Sequence, residues 1–277
     1  MNSSISTLPT PLPLPADAPT FLTEHLPSAS ATVDRPHITV TWAQSLDSKI
    51  AGPGGKRVMI SGPESMLMTH WLRAMHDAIL IGVNTLILDD PRLQANLLPE
   101  SLAIPPPQPL ILDPRLRFPL SSRILAEWNE RPLDRGKKVK QPWIICGDDV
   151  SFGKMEEVES AGARVVPVPL DEKGHIPPSS LPAILTSLNL RSVMIEGGSK
   201  ILSSFLHAPT RGSNTSPSPS AGGSGVLVDS VVVTVGPMFI GDGIGVVPEG
   251  EQKGLPPLKH IHTETMGKDS VMVCSVE

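Results

Sequence analysis

The sequence predicts an α/β protein with a mostly parallel central sheet, helices on both faces and an antiparallel C-terminal edge. Three observations predict it. Short, almost wholly apolar runs recur along the chain, as in strands buried on both faces. Stretches of helical period alternate with them, as parallel connections require. The last two apolar runs have no helical pattern between them, so they are free to pair antiparallel.

The elements follow in order. His37–Ala43 (HITVTWA) is β-branched and apolar and reads as the first strand. Ser61-Gly62-Pro63-Glu64 has the form of a capping box with proline in the first turn. Leu67, Trp71 and Ala74 then recur at helical spacing, with Met66 and Met75 beside them. Asp77–Gly82, Pro109–Leu112 and Trp143–Cys146 are short buried strands. Lys154–Ser160 is a helix leading to the strand Arg164–Val168. Ser180–Leu188 is a helix before the strand Ser192–Ile195, and Gly198–Leu206 a helix after it. Val226–Val235 and Val271–Val273 complete the sheet.

Residues 1–35 are rich in Pro, Ser and Thr and read as a disordered or loosely packed arm. Residues 36–277 read as one domain, interrupted at about 207–225 by a low-complexity insertion (HAPTRGSNTSPSPSAGGSG). Apolar residues make up 39%, with no Tyr and five Phe, so the core is built from Val, Ile, Leu and Met. A net charge of −5 without a long basic run argues against nucleic acid as a partner. The basic cluster Arg135, Lys137, Lys138 and Lys140 reads as a solvated loop. Cys146 and Cys274 make neither a metal spacing nor a disulfide framework. No apolar run reaches the ~18 residues of a membrane span, and the N-terminus lacks the form of a secretory signal. A reduced, cytoplasmic setting is expected.

Four segments carry candidate chemistry. At Ile195-Glu196-Gly197-Gly198-Ser199-Lys200-Ile201 a strand gives way to two glycines that open a helix. Unpaired N–H groups there suit a phosphate; a plain tight turn is the other reading. In DAILIGVNTLILDD, Thr85 and Asp89 are four apart on one helical face. They suit cofactor ribose or amide groups, or serve as local caps. In TWAQSLDSKIA, Asp47 and Lys49 form either a proton-handling pair or a surface ion pair, the latter favoured by this segment alone. Arg73, late in its helix, either favours the helix dipole or grips a substrate phosphate.

No Walker phosphate loop, nucleophile elbow or zinc-deaminase signature is present. His70 and His76 are six apart and share no helix face, and His260 and His262 lack a third ligand, so no metal is expected.

Together these segments resemble the riboflavin-biosynthesis reductase family. The resemblance rests on SLDSKIA, LRAMHDAILIGVNTLILDDPRL, LILD, IEGGSKILSSFL and VDSVVVTVGPMFIGDG, in that order. It covers the chain from about Ile38 onward, apart from the insertions, and is nearest to the fungal type without a fused deaminase domain. It implies a dihydrofolate-reductase-like fold and NADPH as cofactor. The implied reaction reduces the ribosylamino group of 2,5-diamino-6-(ribosylamino)-4(3H)-pyrimidinone 5′-phosphate to the ribitylamino product. Ala43, Thr85, Asp89 and Val166, the last taken to end a central strand, would line the cofactor. Gly197, Gly198, Ser199, Lys200 and Ile201 would hold its phosphate. Arg73, Leu93 and Glu196 would contact substrate, and Glu196, Asp47 and Lys49 are the candidates for ring opening and proton delivery. The family also implies a homodimer, for which the Val226–Val235 strand is a candidate interface.

Two positions depart from the family pattern. Ser48 stands where glycine is usual, and Asn96 where bacterial relatives often carry arginine; Arg57 or Arg92 are the candidate substitutes for that arginine. Two other readings stand beside the main one. One is a similar reductase of another substrate, such as the deaminated 5-amino-6-ribosylamino-uracil phosphate. The other is a non-catalytic nucleotide-binding module.

Overall fold

The computed structural model describes residues 18–26, 35–131, 139–208, 227–248 and 254–277. In chain order these hold α1 (Thr20–His25), β1 (His37–Ser45), β2 (Lys49–Ala51), α2 (Pro63–Ala74), β3 (Ala78–Gly82), α3 (Val83–Asp89), β4 (Gln108–Leu112), α4 (Arg123–Asn129) and β5 (Trp143–Gly147). They continue with α5 (Phe152–Ser160), β6 (Arg164–Val168), α6 (Leu181–Ser187), β7 (Ser192–Ile195), α7 (Ser199–Leu206), β8 (Ser230–Gly236), β9 (Ile244–Gly245), β10 (Leu258–Met266) and β11 (Asp269–Val276).

Nine strands form one sheet in the order β10-β11-β8-β1-β7-β3-β4-β5-β6. From β8 to β6 every pairing is parallel. β11 pairs antiparallel with β8, and β10 with β11, so the predicted mixed sheet is found. The central strands are apolar on both faces because both faces are covered: β3 and β4 are buried at every residue. On one face Leu80, Leu110 and Ile195 meet Ile184 and Leu185 of α6 and Leu202 and Phe205 of α7. On the other, Ile79, Ile81 and Ile111 meet α3, α4 and α5, while Met194, Val232 and Val271 meet α1 and α2.

Several expectations are corrected. Residues 18–26, assigned to a loose arm, carry α1, whose Phe21 and Leu22 are buried against Met68, Trp71 and Leu72. A window averaged over Pro, Ser and Thr hides so short an apolar segment. The remainder of the arm (1–17 and 27–34), the insertion at 209–226, and Arg135, Lys137 and Lys138 lie outside the described residues. The capping box does not form. Gly62 caps α2 without a side-chain bond, and its N–H donates to Asp269 Oδ2 at 2.6 Å, which also accepts from Ser65 Oγ. A carboxylate from β11 thus satisfies the helix start. β10 (LKHIHTETM) escaped prediction because it is largely exposed and so carries no apolar signal. The strand predicted at Val226–Val235 begins at Ser230 and lies between β1 and β11. With both edges paired it offers no edge to a second subunit; the free edges of the sheet belong to β10 and β6. β6 is therefore an edge strand, not a central one, and Val166 is its middle residue.

Candidate active site

β1 pairs with β7 only as far as Val40 and Ile195, but with β8 as far as Ser45 and Gly236. A crevice therefore opens between β1 and β7 at the carboxyl edge of the sheet. Ligands favour such places in open parallel sheets. Ala43 lies on the β1 wall, past the last pair, and Glu196 directly follows β7.

The Glu196-Gly197-Gly198 turn and the start of α3 meet here. Gly197 has φ +146°, a conformation that side chains rarely adopt. Gly198 N–H donates to Thr85 Oγ1 at 3.1 Å, so the threonine caps the neighbouring turn and not its own helix. The N–H groups of Ser199 and Lys200, which open α7, have no partner among the described residues. α7 can approach β3 because residue 82 is glycine: a Cβ there would come within 2.6 Å of Ile201 Cγ1. Gly82 was not singled out from sequence, although a glycine closing a buried strand is the signal of such an approach. The Asp89 carboxylate, one turn beyond Thr85, has no hydrogen-bond partner among the described residues. Burial raises its pKa against the opposing charge of Arg57.

Arg73 and Glu196 meet across the crevice. The guanidinium donates from Nε to Oε1 and from Nη2 to Oε2, both at 2.7 Å, and from Nη1 to the Gln94 carbonyl at 2.9 Å. Three of its five N–H groups are used, leaving two for a ligand. Burial opposes the arginine charge, but attraction and hydrogen bonding from Glu196 outweigh it and hold the Arg73 pKa above its ordinary value. His70 supports the same loop by accepting the Leu97 N–H at Nδ1, 3.2 Å away. Burial, then the Arg73 charge, lowers its pKa to about 4.

Other predicted residues lie differently. The Leu93 side chain is 2% exposed and sits in the core cluster with Leu86 and Leu116. Its backbone takes a left-handed conformation, φ +51°. Arg92 is held by Glu127 at 2.6 Å, whereas Arg57 is exposed and lies near Asp89. Val166 is three strands from β3, roughly 14 Å at the usual strand spacing, within reach of only the far end of an extended ligand. Asp47 and Lys49 form no ion pair with each other. Asp47 instead accepts bonds from Ser45 Oγ (2.5 Å), Ile240 N–H (3.1 Å) and Gly241 N–H (2.7 Å). Those bonds, Ser45 first and Gly241 second, lower its pKa to about 2. It is a fixed anion, not a proton carrier at neutral pH.

A cavity of about 610 Å³ is lined by Trp42, Gln44, Leu206, Val246 and Leu258 among others, and Ser199 Oγ at the start of α7 donates to the Val246 carbonyl at 3.0 Å. Trp42 and Gln44 point to the opposite face of β1 from Ala43, and among the predicted site residues only Asp47 and Lys49 border it. Among the described residues no group of three His, Cys, Asp or Glu side chains is placed to hold a metal ion.

The chain is similar to known proteins over most of its length. It is 33% identical to the 2,5-diamino-6-ribosylamino-4(3H)-pyrimidinone 5′-phosphate reductase of Candida glabrata over 94% of this chain and 96% of that protein. It is 32% identical to the reductase of the same name from Debaryomyces hansenii over 86% and 90%. Among solved structures, the riboflavin biosynthesis reductase of Saccharomyces cerevisiae matches its fold with a TM-score of 0.66 at 24% identity, covering 94% of this chain and 100% of that one. The family model described as the RibD C-terminal domain matches residues 36–210, and the chain belongs to that family.

Proposed function

We propose that the chain is an NADPH-dependent reductase of riboflavin biosynthesis. Its substrate would be 2,5-diamino-6-(ribosylamino)-4(3H)-pyrimidinone 5′-phosphate, converted to the ribitylamino product. The observation that carries this reading is the meeting of Thr85 with the Gly197-Gly198 turn, one residue from the Glu196–Arg73 pair. The names of the fungal relatives support the substrate.

The residues present fit a dinucleotide. Two unpartnered N–H groups at the start of α7 and two glycines without side chains suit an anionic phosphate. Ser199, Lys200 and Thr85 would hold that end, with Ala43 beside the nicotinamide. Bound there, NADPH supplies the hydride that C1′ of the opened sugar receives. The protein's own part is alignment and charge. Arg73 holds Glu196 in place at the crevice, where the side chain would stabilise the cationic character of a protonated imine. The two remaining Arg73 donors face a substrate anion. Lys49 and Glu196 remain the candidates for proton delivery, since Asp47 is tied by its hydrogen bonds.

Absorbance at the NADPH band, followed with the diamino-pyrimidine and separately with its deaminated counterpart, tests the reading. Oxidation with the first substrate supports it. Oxidation with only the second assigns the alternative substrate, and binding without oxidation by either assigns a non-catalytic module. We also propose a homodimer, supported by the free β10 edge with Leu258 and Ile261 exposed and tested by light scattering. A cytoplasmic setting is supported by two buried, free thiols.

A further inference from the structure

We propose that Asp47 is a positioning residue that ties the β1–β2 loop to the β8–β9 loop, holding closed the rim of the crevice beside Ala43. This rests on the cofactor reading above, which places the nicotinamide half at that rim. The two loops leave the sheet side by side, because β1 and β8 stay paired to Ser45 and Gly236, and Ala43 pairs with Thr234. Beyond the sheet, Asp47 joins positions almost two hundred residues apart, accepting the successive N–H groups of Ile240 and Gly241 on its two oxygens. Ser45 completes the tie by donating to Asp47 and accepting the Lys49 N–H at 3.0 Å.

Two further contacts make the loops one strap. Leu46 N–H donates to the Met238 carbonyl at 2.9 Å, and β2 pairs antiparallel with β9. The backbones press together so closely that a Cβ on Gly243 would overlap the Ala51 carbonyl. The strap packs against the core at its base, through Ile50 and Val246, but its tips have little apolar anchorage: Leu46 is 55% and Phe239 76% exposed. Its closure therefore depends on polar ties, as expected of a segment that opens locally without unfolding the core. The tie needs a carboxylate, since an amide would turn a donor toward one of the two N–H groups. The same hydrogen bonds keep that carboxylate ionised, with a pKa of about 2.

The test compares wild type with Asp47→Asn and Gly243→Ala. Calorimetric titrations with NADPH and with 2′,5′-ADP, which lacks the nicotinamide half, are combined with steady-state kinetics. Both variants are expected to bind NADPH at least roughly tenfold more weakly, the scale of one hydrogen bond to a charged group. Binding of 2′,5′-ADP should be unchanged and kcat should fall. Parallel weakening of both ligands, or no change in either, overturns the proposal. Failure of the wild-type protein to bind NADPH overturns the reductase reading, and this one with it.

Discussion

Replacing Gly82 with alanine should displace α7 and weaken both the fold and the phosphate turn. The added methyl would lie 2.6 Å from Ile201 Cγ1 and 3.0 Å from Cδ1. Carbon atoms settle at about 3.5–4.0 Å, so roughly 1 Å of movement is required. Overpacking of this kind destabilises by about 1–3 kcal/mol. The backbone at Gly82, φ −83° and ψ 150°, suits alanine, so restricting the unfolded chain returns about 0.4–1 kcal/mol. A net loss of about 1–2 kcal/mol follows from these two terms. A shift of α7 by that distance also takes Gly198 N–H out of reach of Thr85 Oγ1, now 3.1 Å away. NADPH binding should then weaken by roughly tenfold, the scale of one lost hydrogen bond to a charged group. Ile201→Ala removes both clashing atoms. Equilibrium urea unfolding of wild type, the two single variants and Gly82→Ala/Ile201→Ala closes a cycle in which the double variant should recover about 1–2 kcal/mol relative to the sum. Additivity within about 0.5 kcal/mol would show that the two side chains do not meet and would refute the reasoning.

Other consequences are open to measurement. Ser48 sits at φ +60°, where an L side chain is disfavoured by about 1–2 kcal/mol. Allowing about 0.5–1 kcal/mol for the greater freedom of glycine in the unfolded chain, Ser48→Gly should raise stability by roughly 0.5 kcal/mol or more; a lower urea midpoint would contradict this. His76 is buried, donating to the Leu72 carbonyl and accepting from Thr39, and burial lowers its pKa from 6.5 to about 4. Between those values the unfolded chain binds the proton and the folded one does not. Stability from this group is therefore intact above pH 6.5 and lost as pH falls toward 4, by up to about 3 kcal/mol. His76→Gln should flatten the pH dependence of the urea midpoint across that window, and an unchanged slope would exclude His76 as its source. Glu196→Gln should depress substrate kcat/KM by roughly ten- to hundredfold, the scale of hydrogen bonds to a charged group, with NADPH affinity less affected; equal loss of both would mark the residue as structural.

Strands buried on both faces leave an unmistakable trace, so the parallel core from β1 to β7 was legible in runs such as AILIG and SVMI. So was the turn at Gly197, because a glycine pair between a strand and a helix is a local feature. β10 was not legible, since an exposed edge strand need not be apolar, and neither was α1, a single short helix whose burial is decided by α2. The capping of α2 by Asp269 and the tie from Asp47 to Gly241 each join residues almost two hundred or more positions apart. No local pattern encodes such pairs. The same distinction divides the site. Sequence named Arg73, Glu196 and Asp47 as charged groups of interest, but a charge takes its role from what lies within about 3 Å of it. Only folding set Arg73 against Glu196 and Asp47 against two backbone N–H groups, making one carboxylate the paired wall of the crevice and the other a fixed tie between loops.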